Sequence, residues 1–310
     1  MESFAKKLAV VTGGGTGMGR ELVRQLAAEG CHVATCDVHL DTLEETLRLA
    51  EKDAPPGTRL TMHRCDVADE AQMFAFRDEV VEQHHTDHVN LVFNNAGVGG
   101  GGSFVTGDRA EWDRTFGICW GGVYNGCRAF VPLLIAADEG HLINTSSVNG
   151  FWASLGPGIP HTAYSSAKFA VKGLSEALLE DFRLNAPHVH VSVVMPGYIG
   201  TDIVNNSQRI FDGGEPLIDD IKMGMERRGV STAGMDDDTL RSMVAGFGDM
   251  FRDHAPTTAR EAVTVILDGV KAGTWRILVG DDAHKLDAAV RADPLGVYGV
   301  DGLSLDLGEI

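Results

Sequence analysis

The sequence predicts a doubly wound α/β fold with seven parallel strands, on three observations. Short β-branched runs recur along the chain with helical patterns between them, most of these runs are continuously apolar, and a glycine cluster directly follows the first. The strands in order are "LAVVT" (8–12), "HVATC" (32–36), "RLTMHRC" (59–65), "VNLVFN" (89–94), "HLINTS" (141–146), "VHVSVVM" (189–195) and "WRILVG" (275–280). Between the first two, "GRELVRQLAAEG" (19–30) sets Leu22, Val23 and Leu26 at helical spacing and closes on Gly30. "GVGGGGS" (97–103) reads as a mobile loop after the fourth strand. "DRAE" (108–111) resembles a capping box, opening a long helix that runs from Trp112 to about Leu134.

Residues 202–258 break this rhythm, because αβ and βα connections usually take roughly 2–6 residues. Within them Leu240, Met243, Val244, Phe247, Met250 and Phe251 form one helical stripe, and Met223, Met225, Met235, Met243 and Met250 cluster. A helical lid with an adaptable apolar face is expected; core packing is the competing reading of the methionines. The division that follows is one domain over 1–285 carrying the lid insertion, then a C-terminal tail over 286–310 that either reaches a neighbouring subunit or is disordered.

Composition narrows the function classes. Among 310 residues, 44% are hydrophobic and 23% charged, an ordinary globular balance, with no run approaching the roughly 20 apolar residues that span a bilayer. The N-terminus lacks a signal-peptide pattern, and five cysteines without paired or metal-type spacing suit a reducing cytoplasm. A net charge of −18 disfavours binding to nucleic acid, which needs basic surface. His84 and His88 share a helical spacing without a clear third ligand, so no metal is expected. No serine stands in G-x-S-x-G, which removes the basis for a serine hydrolase reading.

"TGGGTGMG" (12–19) links the first strand to the first helix, where glycines permit tight turns and the helix N-terminus favours a pyrophosphate. Arg20 and Glu21 stand where a triphosphate-binding loop needs Lys and Ser/Thr, so a nucleotide triphosphatase is not expected. Asp37 ends the second strand, where a carboxylate accepts bonds from ribose hydroxyls and repels a 2′-phosphate, favouring NAD over NADP. His39 is a weak signal for the opposite preference. In "TAYSSAKFAVKG" (162–173), Tyr164 and Lys168 lie one helical turn apart.

The glycine frame, "NNAG" (94–97), "TSS" (145–147), Tyr164-x-x-x-Lys168 and "PGYIGT" (196–201) occur in one order and resemble the short-chain dehydrogenase/reductase family over about residues 5–201. The resemblance implies a single Rossmann-like domain, a nicotinamide cofactor, reversible alcohol–carbonyl conversion, and a homodimer or homotetramer. It places Gly13, Gly17, Met18 and Gly19 at the pyrophosphate, Asp37 at the adenosine ribose, and Asp66 with Val67 at the adenine. It assigns Asn94, Ala96 and Gly97 to the central cofactor, and Pro196, Gly197, Ile199 and Thr201 to the nicotinamide end. Tyr164 is implied as the proton-transfer group and Lys168 as the partner that stabilises its phenolate and holds the nicotinamide ribose. Ser147, chosen over Ser146, is implied to bind the substrate oxygen.

A free phenol, with a pKa near ~10, is a sluggish base at neutral pH, so such a role requires a stabilising cation. One position departs from the family pattern: aligning Gly122 with its glycine puts Cys119 where an asparagine is usual. Asn125 is not an obvious stand-in; a small buried thiol is the plain reading of Cys119. The expected function is NAD-dependent interconversion of a secondary alcohol and a ketone, with Trp152, Leu155 and Ile159 suggesting an apolar pocket. The alternatives are a dinucleotide-binding protein without catalysis, motivated by Cys119, and a redox-neutral epimerase or dehydratase.

Overall fold

The structure, a computed structural model, describes residues 1–211, 222, 231–299 and 302–305. Alternation of strand and helix begins with β1 (Leu8–Thr12), α1 (Gly17–Ala28), β2 (His32–Asp37), α2 (Leu40–Asp53), β3 (Leu60–Arg64), α3 (Glu70–His84) and β4 (Leu91–Asn94). One continuous helical rod follows: α4 (Arg109–Phe116), a π-helical turn (Gly117–Gly121) and α5 (Gly122–Ile135). After it come β5 (Gly140–Thr145), α6 (Thr162–Asn185), β6 (Val189–Pro196), β7 (Ile199–Gly200) and α7 (Ile203–Phe211). The remainder is α8 (Asp237–Asp253), β8 (Thr257–Thr258), α9 (Ala259–Lys271), β9 (Arg276–Val279) and α10 (Asp281–Ala292).

Seven strands form one sheet in the order β3-β2-β1-β4-β5-β6-β9, every pair parallel. Its central strands are buried on both faces, which is why they read as continuous apolar runs. Leu22 and Leu26 of α1 pack with Val263 and Ile266 of α9 on one face; Phe76 of α3, Phe130 of α5 and Val171 of α6 pack on the other. The chain works outward from β1 to β3 and then returns to β4 beside β1, so strand order reverses between β1 and β4. Open α/β sheets bind ligands beyond the C-terminal strand ends at such a reversal.

Several expectations change in detail. Asp108 caps α4 by accepting from Ala110 N–H at 3.2 Å, but Glu111 does not complete a capping box. Its Oε1 instead accepts from Gly101 N–H at 2.7 Å, tying the glycine-rich loop to the helix. Arg109–Ala136, 28 residues long, is long and apolar enough by composition to cross a bilayer; here it lies against the sheet with half its most apolar window buried. His84 ends α3 and shares a hydrogen bond with Thr61 at 3.0 Å, and no group of metal-ligating side chains occurs among the described residues.

The division at residue 285 falls inside α10, whose Leu286 is buried, and part of the tail folds back on its own chain. Leu305 N–H donates to Leu155 O at 3.0 Å, the Tyr298 hydroxyl accepts from Ala153 N–H at 3.0 Å, and Leu303 and Leu305 pack against the cluster containing Trp152. Of the lid, α7 and α8 are described. Leu240 is buried, Phe247, Met250 and Phe251 are half-buried and Met243 is exposed, so the stripe is covered only in part. Met223, Met225, the side chain of Val244 and residues 306–310 of the tail lie outside the described residues.

Candidate active site

A cleft opens at the C-terminal ends of β1 and β4. Gly13, Gly17, Met18, Gly19, Asp37, Asp66, Val67, Ala96, Gly97 and Thr201 line it. Two glycines show why the loop tolerates nothing larger. Gly17 opens α1 at φ +52°, and a Cβ on Gly19 would lie 1.9 Å from Gly13 O. Thr16 makes no side-chain cap and the first turn of α1 has no acid, leaving the helix N-terminus uncompensated, as anion binding requires. These features fit a dinucleotide pyrophosphate.

Asp37 is held at both oxygens: Oδ2 accepts from Gly15 N–H at 3.1 Å and Oδ1 from His39 N–H at 3.2 Å. The nearby Arg20 guanidinium is committed to Gly15 O and the Thr46 hydroxyl, which turns it away from the cleft carboxylate. Asp66 accepts from Ala68 N–H and pairs with Arg114 at 2.7 Å, a second cleft residue that motif reading missed because it comes from the helical rod. Thr12, also missed, clamps the floor: its hydroxyl accepts from the N–H groups of both Asn95 and Ala96.

Seven expected site residues are not in the cleft lining: Ser147, Tyr164 and Lys168, described below, and four more, Asn94, Pro196, Gly197 and Ile199. Asn94 is buried beneath it, donating to Asn144 Oδ1 at 2.9 Å, and Asn95 lines the wall instead. Gly197 packs on Asp282, which accepts from Tyr198 N–H at 2.6 Å; Pro196 ends β6 and Ile199 is buried with the α9 core. Thr201 beside Gly17 is the part of "PGYIGT" that faces the cleft. Helix α7 covers this end through Ile203, Asn206 and Ile210, with Asn206 Nδ2 bonded to Thr16 Oγ1 at 2.8 Å and Gly99 N–H donating to Ser207 Oγ at 2.8 Å.

At the start of α6, the Tyr164 phenol has Ser147 as its polar side-chain neighbour, and Lys168 Nζ sits 5.4 Å from the Tyr164 ring centre. Lys168 is 2% exposed and donates from Nζ to Thr145 O at 2.9 Å. Burial raises the Tyr164 phenol above its ordinary range, with Cys119 adding to the rise and Ser147 opposing it. Burial also lowers the Lys168 ammonium below its ordinary value. Ser146 is spent on structure, donating to Lys168 O at 2.7 Å, which leaves Ser147 as the serine at the phenol.

Cys119 lies in the π-helical turn, fully buried, and donates from Sγ to Val98 O at 3.2 Å. The turn deforms the rod at this residue, while Asn125 is used elsewhere, donating to Val67 O at 3.0 Å. Trp152 does not line an apolar substrate pocket as expected: it is fully buried with Val148, Leu286 and Val297 because α10 and the folded-back tail cover it. Ile159 stays 40% exposed, and Leu155 is the half-buried residue to which the tail bonds.

A short chain dehydrogenase sequence profile matches residues 7–210. The chain belongs to the short-chain dehydrogenase/reductase family. SadH of Mycobacterium tuberculosis, named as an oxidoreductase, is 32% identical over 291 residues, covering 94% of this chain and 92% of its own. A Burkholderia phymatum family member solved with NAD is 26% identical with a TM-score of 0.74, over 94% of each chain. A metagenomic short-chain oxidoreductase solved with NADP is 32% identical with a TM-score of 0.55, covering 63% of this chain and 84% of its own. This short-chain dehydrogenase/reductase is thus an enzyme acting on CH–OH groups with a nicotinamide dinucleotide.

Proposed function

We propose that the protein interconverts a secondary alcohol and a ketone, using NAD in preference to NADP, with Tyr164, Lys168 and Ser147 as its working residues. The observation that carries this reading is the Tyr164 phenol beside Ser147 with the Lys168 ammonium against its ring. Gly13, Gly17, Met18 and Gly19 would hold the pyrophosphate, Asp37 the adenosine ribose, and Asp66 with Val67 the adenine end. When bound, the dinucleotide supplies or accepts the hydride at the reacting carbon.

Ser147 positions the substrate oxygen, and Tyr164 exchanges a proton with it. Tyr164 is protonated at neutral pH, as an ordinary phenol is, and burial strengthens that, which suits donation to a forming alkoxide during ketone reduction. In alcohol oxidation Tyr164 takes the hydroxyl proton, and the neighbouring Lys168 charge stabilises the phenolate that this demands. Lys168 is fixed for that role by Thr145 O. NAD preference is supported by Asp37, whose carboxylate faces the cleft while Arg20 is committed to the loop. An apolar substrate body is supported by the stacked Trp112–Phe116 pair, 5.4 Å apart, and by Phe211 against Gly100.

The test is absorbance at the NADH band with NAD or NADP and secondary alcohols from short aliphatics to aryl carbinols. NADH formation with NAD, abolished in Tyr164→Phe, is the expected result. Product formation without net NADH change would favour epimerase or dehydratase chemistry, and dinucleotide binding without any turnover would favour a non-catalytic binder.

A further inference from the structure

One titratable side chain at the site has no task in this mechanism. His161 directly precedes α6, and its imidazole lies against the Tyr164 ring, centre to centre 4.7 Å and tilted by 34°. Tyr164 is thus flanked by two basic groups, Lys168 one turn further along the helix and His161 three residues before. Lys168 has a protein acceptor in Thr145 O. Neither ring nitrogen of His161 has a hydrogen-bond partner among the described residues, although the side chain is half-buried.

The ring nitrogens of His161 are not among the buried polar atoms that lack a partner, so they open to the surroundings of the phenol, where a ligand can meet them. The two fully buried imidazoles each have at least one protein partner: His63 bonds Glu79 and Thr61, and His141 bonds Ser192 through Nε2. Packing alone does not account for His161, because a phenylalanine would stack on Tyr164 without leaving two polar atoms idle. Its backbone is also firmly placed. Ser165 N–H donates to His161 O, and the neighbouring Thr162 bonds the glycine-rich loop through Gly102 O at 2.9 Å and accepts from Trp112 Nε1 at 3.1 Å. The side chain is held at the phenol by its surroundings rather than by bonds of its own.

We infer that His161 is a substrate-recognition residue that binds a second oxygen of the substrate, beside the carbon that Tyr164 and Ser147 serve. The inference rests on the oxidoreductase reading above. Burial lowers the imidazole to about 4, so at neutral pH the ring is uncharged, with one nitrogen donating and the other accepting. A neutral ring pairs with a hydroxyl or carbonyl and offers no charge to a carboxylate or phosphate. The two rings are in direct contact, so a ligand oxygen at the phenol and a second at the imidazole belong to one small fragment of the substrate. The substrate class is therefore a vicinal or near-vicinal oxygenated alcohol, such as a hydroxyketone or diol on an apolar frame.

The test uses the full chain carrying Tyr164→Phe, which keeps the ring against His161 but blocks turnover, loaded with NAD. Ligand-observed NMR titration gives the dissociation constants of acetophenone and 2-hydroxyacetophenone, a matched pair differing by one hydroxyl. A single neutral hydrogen bond predicts roughly fivefold to tenfold tighter binding of the hydroxyketone. Adding His161→Phe collapses this ratio to about one, and His161→Gln, which retains a donor and an acceptor, keeps part of it. A ratio that His161→Phe leaves unchanged, equal weakening of both probes, or no preference or binding before the histidine is changed would each overturn the inference. Because the readout is binding, a ratio that behaves as expected in a protein forming no NADH from any alcohol would sink the oxidoreductase reading alone.

Discussion

Asn206 Nδ2 donates to Thr16 Oγ1 at 2.8 Å, joining helix α7 to the glycine loop across the mouth of the cleft. Arg209 and Asp41, 3.5 Å apart, make a second link between α7 and α2, but both are substantially exposed and an ion pair of that kind contributes little. Asn206 is therefore the latch that matters. Asn206→Ala should weaken dinucleotide affinity about threefold to tenfold, the worth of one hydrogen bond, with a faster dissociation rate measured by stopped-flow NADH fluorescence. An unchanged dissociation rate would show that α7 is held closed by its other contacts, Ile203, Ile210 and the Gly99–Ser207 bond.

Dinucleotide choice is assigned to Asp37. Asp37→Ser removes the carboxylate while a hydroxyl remains near Gly15 N–H, and should lower kcat/KM with NAD by about tenfold to a hundredfold, the scale of lost charge-assisted bonds. Activity with NADP should rise relative to NAD, because the repulsion of a 2′-phosphate is gone. Parallel kinetics with the two cofactors measure the ratio, and a ratio that stays constant would remove Asp37 from this role.

Cys119 can be examined by substitution because its peptide carbonyl survives any side chain. The thiol supports only the bond to Val98 O, so Cys119→Ser should keep kcat within about threefold. Cys119→Asn inserts a larger amide into a fully buried site and should cost about 1–3 kcal/mol of stability, read as a lower Tm. A loss of activity of three orders of magnitude in the serine variant at unchanged Tm would mean that the thiol takes part in proton transfer.

Acid should destabilise the fold through His141. Burial lowers this imidazole to about 3, with His190 and the N-terminal amine assisting, and it donates to Ser192, whose own hydroxyl donates to Thr274 O. The unfolded chain carries it near ~6.5 and so binds more protons than the folded one between those values; stability therefore rises with pH across that window. From pH 7 to pH 5 the loss from this group is about 2 kcal/mol. His141→Gln should flatten the dependence of Tm on pH over that interval, and an equally steep profile would assign acid sensitivity to other groups.

The legible parts of the molecule are those whose chemistry is local. The glycine turn, the strand runs and the Tyr164–Lys168 turn each fit within a few residues, and their spacing alone restricts the backbone. Ser147 is preferred over Ser146 from the residues that follow it, and the structure adds that Ser146 is tied to Lys168 O. What sequence reading misplaced depends on distant partners. Trp152 looked like a pocket wall because nothing near it in sequence hints that Leu286 and Val297 bury it. Glu111 looked like a cap because spacing cannot show that Gly101 N–H competes for its carboxylate. Arg114 went unnoticed for the same reason, its partner Asp66 lying 48 positions earlier.

The bond from Ala153 to Tyr298 joins residues 145 positions apart, and it braces the loop that leads to His161 and Tyr164. During synthesis every strand through β9 has left the ribosome before that brace exists, so the nucleotide half of the enzyme can assemble while Trp152 is still uncovered. The covering of Trp152 therefore waits on residues made after every strand of the sheet. A nascent chain paused near α10 would display an indole to the surrounding solution, a natural target for the factors that attend unfinished proteins.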